Sequence, residues 1–225
     1  MKRNFRLLLQ ALALSTALPL AAHADVIDFE SGDLTGLYFP GNTFSQGDYT
    51  LTTLNNFGTI DTAAGLGAQA PTGDDTQFYF NSNDGSLQLA RTDGAAFNLL
   101  SFSAAFVPLS PASTQSTVLF ALGTKADNST VSGYWFFTQN PSGQYTFADN
   151  TGGAFSGLTK IEFHACSLVA GQVCTEATMN NGQFALDNIA VSAVSAVPEG
   201  STTALMALGL MGLGFAARRA RCGQA

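Results

Sequence analysis

Ser101-Phe102-Ser103-Ala104-Ala105-Phe106, inside the run Phe97–Val107, decides the fold class. Phe102, Ala104 and Phe106 fall on one side of an extended chain, and Ser101, Ser103 and Ala105 fall on the other. A period of two is the signature of a β-strand, because successive side chains leave a pleated backbone on opposite faces. Gln77-Phe78-Tyr79-Phe80 repeats the pattern, with Phe78 and Phe80 facing one way and Gln77 and Tyr79 the other. Outward from these runs, β-branched and aromatic residues gather in short segments between clusters of Gly, Asn, Asp and Ser. The segments are Val26–Glu30, Asp48–Leu54, Thr76–Asn81, Ser86–Arg91, Phe97–Val107, Thr117–Gly123, Thr130–Phe137, Gln144–Ala148, Leu158–His164 and Gln183–Val194. Between 25 and 196 no amphipathic helix of twelve or more residues is evident. Many short strands separated by turn residues predict an all-β, antiparallel β-sandwich of jelly-roll type over 25–196. Asn81-Ser82-Asn83-Asp84-Gly85 between two strands reads as a hairpin turn, since Asp-Gly tolerates positive φ. Its spacing does not match a D-x-[DN]-x-[DN]-G calcium loop.

The charge pattern narrows the partners. Charged residues are 11% of the 225, against about 25% in ordinary soluble domains. Six of the nine basic residues sit at the extreme ends. Between Asp25 and Val197 only Arg91, Lys125 and Lys160 oppose fifteen acidic residues, a net of −12. Such a body repels phosphate backbones, so nucleic acid is excluded as a partner. Eighteen phenylalanines rule out a disordered chain.

The two ends read as addresses. Lys2, Arg3 and Arg6 precede an apolar run, Leu7–Leu20, and Ala22-His23-Ala24 is an A-x-A cleavage site. Residues 1–24 are therefore expected to be a signal peptide, with the mature chain starting at Asp25. Residues 201–217 carry no charge and are followed by Arg218, Arg219 and Arg221. Seventeen helical residues span roughly 25 Å, the lower limit for a membrane crossing. The trailing arginines place that end in the cytoplasm by the positive-inside rule. A single transmembrane helix over about 201–217, with a basic end 218–225, is expected.

Val197-Pro198-Glu199, then this short apolar span, then the arginine cluster, resembles the PEP-CTERM sorting tail. Gly200 stands where that family usually has a second proline. The resemblance covers about thirty residues, 197–225. It implies an exported protein of a Gram-negative cell, held transiently in the inner membrane and processed by an exosortase. It also implies association with the cell surface or with the exopolysaccharide of a biofilm matrix.

A second resemblance concerns the first and last strands of the body. Ile27-Asp28-Phe29-Glu30 with Gly32, and Phe184-Ala185-Leu186-Asp187-Asn188-Ile189, resemble the terminal strands of jelly rolls of the carbohydrate-binding-module type. There the two strands are neighbours and a structural calcium often ties them. The resemblance implies that Glu30 and Asp187 are metal ligands, the remaining oxygens coming from backbone and water. The alternative is two solvated edge-strand acids.

The chemistry-bearing residues are few. Cys166 and Cys174 lie eight positions apart; in an exported protein they are expected to form a disulfide, the alternative being two buried thiols. After removal of His23, His164 is the only histidine, which excludes a His-rich zinc site. No G-x-S-x-G elbow and no phosphate-cradling glycine loop is present. Tyr134-Trp135-Phe136-Phe137 must put two rings on each side of a strand. Either Tyr134 and Phe136 enter the core or Trp135 and Phe137 do, and an outward Tyr134 or Trp135 could stack on a sugar ring; the alternative is a central strand buried on both faces. The sequence thus reads as a non-enzymatic surface or matrix protein. The rival readings are a lectin-like carbohydrate-binding module and a secreted carbohydrate-active enzyme. A pair of carboxylates facing one another across a groove would favour the enzyme.

Overall fold

The computed structural model of the chain describes residues 24–108, 117–169, 172–176 and 182–194, without the side chains of 117, 167–169 and 172–176. Residues 1–23 of the expected signal peptide, the expected sorting motif Val197-Pro198-Glu199, the apolar span 201–217 and the arginines that follow it lie outside the described residues. Among those described, no helix is long and apolar enough to cross a membrane.

The strands run in chain order as β1 Ala24–Ile27, β2 Gly36–Tyr38, β3 Thr43–Gln46, β4 Tyr49–Asn55, β5 Gly58–Thr62, β6 Gln77–Asn81, β7 Ser86–Arg91 and β8 Phe97–Phe106. They continue as β9 Thr117–Lys125, β10 Thr130–Phe136, β11 Thr138–Gln139, β12 Tyr145–Thr146, β13 Ala148–Thr151, β14 Leu158–Val169, β15 Gln172–Glu176 and β16 Phe184–Ala193. All ten segments read from the sequence fall on strands. β2, β3, β5, β11, β13 and β15 are not legible in the sequence: each is two to five residues long, and Gly, Asp and Asn interrupt the strand signal of several.

The strands form two antiparallel layers. The first has the order β2-β5-β6-β16-β8-β13, with β1 continuing beside β16 where β6 ends. The second has the order β3-β4-β7-β14-β9-β10, with β15 beside the far end of β14. One pairing, Leu158 with Phe97, joins them at a corner. Their inner faces meet ring on ring. Phe102 of β8 lies 5.6 Å from Phe163 of β14, and Tyr79 of β6 lies 6.0 Å from Phe44 of β3. Tyr49 of β4 meets Phe97 of β8 edge-on at 5.7 Å. Burying these rings is the main driving force for a sandwich with so few charges.

The two runs that announced the fold behave differently. In β8 the rings Phe102 and Phe106 point inward, as alternation predicts. In β6 both faces are buried. Tyr79 enters the sandwich, while Phe78 and Phe80 face outward under Ala63, Leu66 and Phe147. A short helix, Ala63–Leu66, contributes to this cover.

One expectation is corrected. Ser82–Gly85 is a tight turn, with Asn83 and Asp84 at φ 55° and 58° and the Gly85 N–H donating to the Ser82 carbonyl at 3.2 Å. It is not a hairpin. β6 pairs with β5 and β16, whereas β7 pairs with β4 and β14, so the turn carries the chain from one layer to the other. The local turn chemistry was legible, but the destination of the next strand is a tertiary property.

Candidate functional site

Two features outside the aromatic core carry chemistry. The first lies where the terminal strands meet. β1 pairs with β16 from Ala24↔Ser192 to Ile27↔Ile189. β16 bulges between Asp187 and Ala190, and Asn188 takes a left-handed backbone, φ 49°. On the other chain end, Phe29 has φ 57°. That conformation is costly for a bulky residue and is held here by packing and by its N–H donating to Gln46 Oε1 at 3.1 Å. These two departures from regular strand flank the acidic side chains. The Gln77 N–H donates to Glu30 Oε1 at 2.7 Å. The Asn188 amide donates to Asp187 Oδ2 at 2.6 Å.

Asp187 is 1% exposed, and its Oδ1 is buried without a hydrogen-bond partner. Burial pushes the Asp187 carboxyl up to about 8, against the lowering effect of the Asn188 backbone N–H and helped by the side-chain contact with Asp74 and the charges of Asp74 and Glu30. Glu30, in the loop after β1, and Asp187, on β16, thus lie near one another, and Asp74 of the loop before β6 joins them. Asp74 was missed because Gly73-Asp74-Asp75 looks like any turn. Among the described residues no group of three or more His, Cys, Asp and Glu side chains forms a ready-made metal centre. The orphan Asp187 oxygen nevertheless fits a hard cation that takes oxygens from both side chains and backbone.

The second feature is the outer face of the β3-β4-β7-β14-β9-β10 layer. Along β14, Ile161, Phe163 and Ala165 are buried in the sandwich, while Glu162 and His164 face outward and are half-buried. The register places Phe120 opposite His164, and Tyr134 opposite Phe120. The Phe120 and His164 rings are 4.9 Å apart. Tyr134 and Phe136 are 48% and 65% exposed and meet edge-on at 5.8 Å. One residue row away, Glu162 lies opposite Gln88 of β7, and Gln88 lies opposite Thr52 of β4. An aromatic row therefore runs beside a row of carboxylate, amide and hydroxyl.

Trp135 requires a correction. It points into the sandwich, edge-on to Phe102 at 4.8 Å and 5.8 Å from Phe155. Phe137 likewise packs on Phe106 at 5.7 Å. Trp135 is a core residue rather than a stacking surface, because alternation commits it to the side where Phe102 waits. The ring that shares the outer face with Tyr134 is Phe136. Phe120 and Phe136 were the residues missed in reading this face. Glu162 and His164 were placed on the polar side of their strand, but nothing in the sequence joined them to Tyr134.

Cys166 is buried and disulfide-bonded. Its strand, β14, pairs with β15, which contains Cys174, and Cys166 lies opposite Glu176. The Cys174 side chain lies outside the described residues, so its pairing with Cys166 remains a proposal.

No family pattern and no curated protein matches the chain. Solved structures do match in shape. A DUF4465 family protein from Bacteroides caccae aligns with a TM-score of 0.52 at 11% identity, over 76% of this chain and 100% of the other. The shared property is the fold. The K1 cleaved adhesin domain of Lys-gingipain from Porphyromonas gingivalis aligns at 0.44 with 10% identity, over 77% and 99% of the two chains. A family 11 carbohydrate-binding module from Clostridium thermocellum, solved with a β-1,3-1,4-mixed-linked tetrasaccharide, aligns at 0.33 with 15% identity, over 77% and 96%. Scores below 0.5 carry no argument about what this chain binds.

Proposed function

We propose that this chain is a non-catalytic carbohydrate-binding protein displayed outside the cell, and that it binds glycan on the outer face that carries Tyr134. The observation behind this reading is the partly exposed row Tyr134–Phe120–His164, flanked by Phe136 and bordered by Glu162 and Gln88. Sugar rings offer apolar C–H faces to aromatic side chains and hydroxyls to carboxylates and amides. Glu162 is the one carboxylate in these two rows, so the face offers binding groups rather than an acid–base pair. Affinity electrophoresis in polysaccharide gels tests the reading. The full chain is expected to be retarded by at least one glycan, and Tyr134→Ala is expected to lose about tenfold in affinity. Unchanged retardation in Tyr134→Ala would remove this face as the site.

Two finer proposals rest on other residues. Glu30 and Asp187, with Asp74 beside them, would hold a calcium ion that ties the first and last strands together. When bound, the ion would supply two positive charges against these three acids; the chain supplies the placement of Asp187 at the β16 bulge. Separately, Val197-Pro198-Glu199, the apolar span and the three terminal arginines support export and exosortase processing in the inner membrane. Release to the surface, next to exopolysaccharide, would then give the glycan face its partner.

A further inference from the structure

We infer that the glycan is an uncharged polysaccharide bound along its length across the strands, rather than an acidic polymer or a chain end. This inference rests on the glycan reading of the Tyr134 face and names the ligand class of that same site.

Charge excludes the acidic polymer. A polyuronate or sulfated chain carries a negative charge on every one or two sugars and needs a basic group near each. Of the three basic residues between Asp25 and Val197, Arg91 is committed elsewhere. It donates to both carboxylate oxygens of Asp93, at 2.9 and 2.7 Å, and lies over the Tyr49 ring. Lys160 shares the outer side of β14 with Glu162, and Lys125, the last residue of β9, lies near Asp127, in a body of net charge −12. A polyanion approaching this face meets a net repulsive field. Hydroxyl groups carry no such penalty, and they can donate to Glu162 and exchange hydrogen bonds with Gln88 and Thr52.

Register sets the direction. Tyr134, Phe120, His164 and Ser86 are successive cross-strand neighbours on β10, β9, β14 and β7, and Asn55 of β4 follows, its amide donating to Ser86 Oγ at 3.3 Å. Five strands about 4.8 Å apart give a row of ~19 Å, in which Tyr134 and Asn55 are exposed, Phe120 and His164 are half-buried and Ser86 is buried; its length matches about four sugar rings lying perpendicular to the strands. Tyr134 at one end and Asn55 at the other are both exposed. Neither end of the row is closed by a wall that would select a chain terminus.

The test is a glycan array that carries neutral glucans and galactans, the corresponding polyuronates, and oligosaccharides of two to six units, probed with the full chain in chelator to remove calcium bridging. Neutral chains are expected to be retained, with affinity rising at least tenfold from two to four units and then levelling. Tyr134→Ala is expected to lose this signal. Tyr134→Phe keeps the ring and is expected to keep the signal, and Val26→Ala, an exposed apolar residue of the other layer, is expected to leave it unchanged. Preferential retention of polyuronates would overturn the inference while leaving glycan binding intact. Affinity that is flat beyond a disaccharide would overturn binding along the chain. No retention anywhere would overturn the inference together with the glycan reading. A dimer seen by sedimentation that Tyr134→Ala dissolves would assign the face to a second copy instead.

Discussion

Among the described residues Asp187 Oδ1 is one of three buried polar atoms without a hydrogen-bond partner, beside Tyr49 Oη and Gln77 Oε1, and the one that belongs to a carboxyl. A carboxyl held near 8 in the folded chain and near its ordinary 3.8 when unfolded binds a proton in the native state that the unfolded state releases. In chelator, stability is therefore expected to be highest at acidic pH and to fall as pH rises from about 4 to about 8, by a few kcal/mol at most. Asp187→Asn is expected to flatten that slope. Calcium at neutral pH is expected to raise the melting temperature of the wild type and not of Asp187→Asn. Calorimetry across pH with and without chelator checks both, and an unchanged wild-type melting temperature would sink the calcium proposal. Residue by residue, the two neighbours in Tyr134-Trp135 separate stability from binding. Trp135→Ala removes a ring packed on Phe102 and Phe155 and is expected to cost about 3 kcal/mol in urea denaturation. Tyr134→Ala leaves the core intact, and its stability is expected to stay within about 0.5 kcal/mol of wild type.

At the scale of elements, the turn from β6 to β7 determines which layer receives which strand. Asn83 and Asp84 hold their left-handed backbones, the Asn56 amide donates to the Asn83 carbonyl, and Asp84 Oδ1 accepts from the Gly182 N–H at 2.6 Å. Gly85 closes the turn against Asn81 and the Asn55 carbonyl, with no room for a Cβ. Gly85→Ala is expected to cost about 1–3 kcal/mol, because the obstacle includes backbone, which shifts less readily than a side-chain tip. A urea melt indistinguishable from wild type would mean the turn relaxes freely. The β16 bulge plays the matching part at the other end of the layer: one left-handed asparagine lets Asp187 sit on β16 while Ile189 resumes pairing with Ile27.

For the whole molecule, the described body carries the proposed binding face, and the two ends carry the proposed export and sorting signals. If the export reading holds, intact-mass analysis of protein from its native envelope is expected to show a start at Asp25, loss of the segment after the Val197 region, and a two-dalton gain on reduction of a Cys166–Cys174 bond. A full-length mass in the inner membrane of an exosortase-competent host would overturn the processing proposal. The net charge of the body, −12 between Asp25 and Val197, disfavours polyanionic partners and leaves neutral ones unpenalised.

The sequence alone determined the all-β class, the positions of the long strands and the charge of the body, because two-residue periodicity, turn residues and net charge are local quantities that the chain states wherever it folds. It also singled out Glu30 and Asp187 by resemblance. Only the tertiary structure decided that β6 and β7 belong to different layers, that Trp135 enters the core while Tyr134 and Phe136 leave it, and that Asp74 completes the acidic cluster. Those outcomes depend on which distant strand lies opposite, and a strand's two faces are equivalent until a partner layer covers one of them.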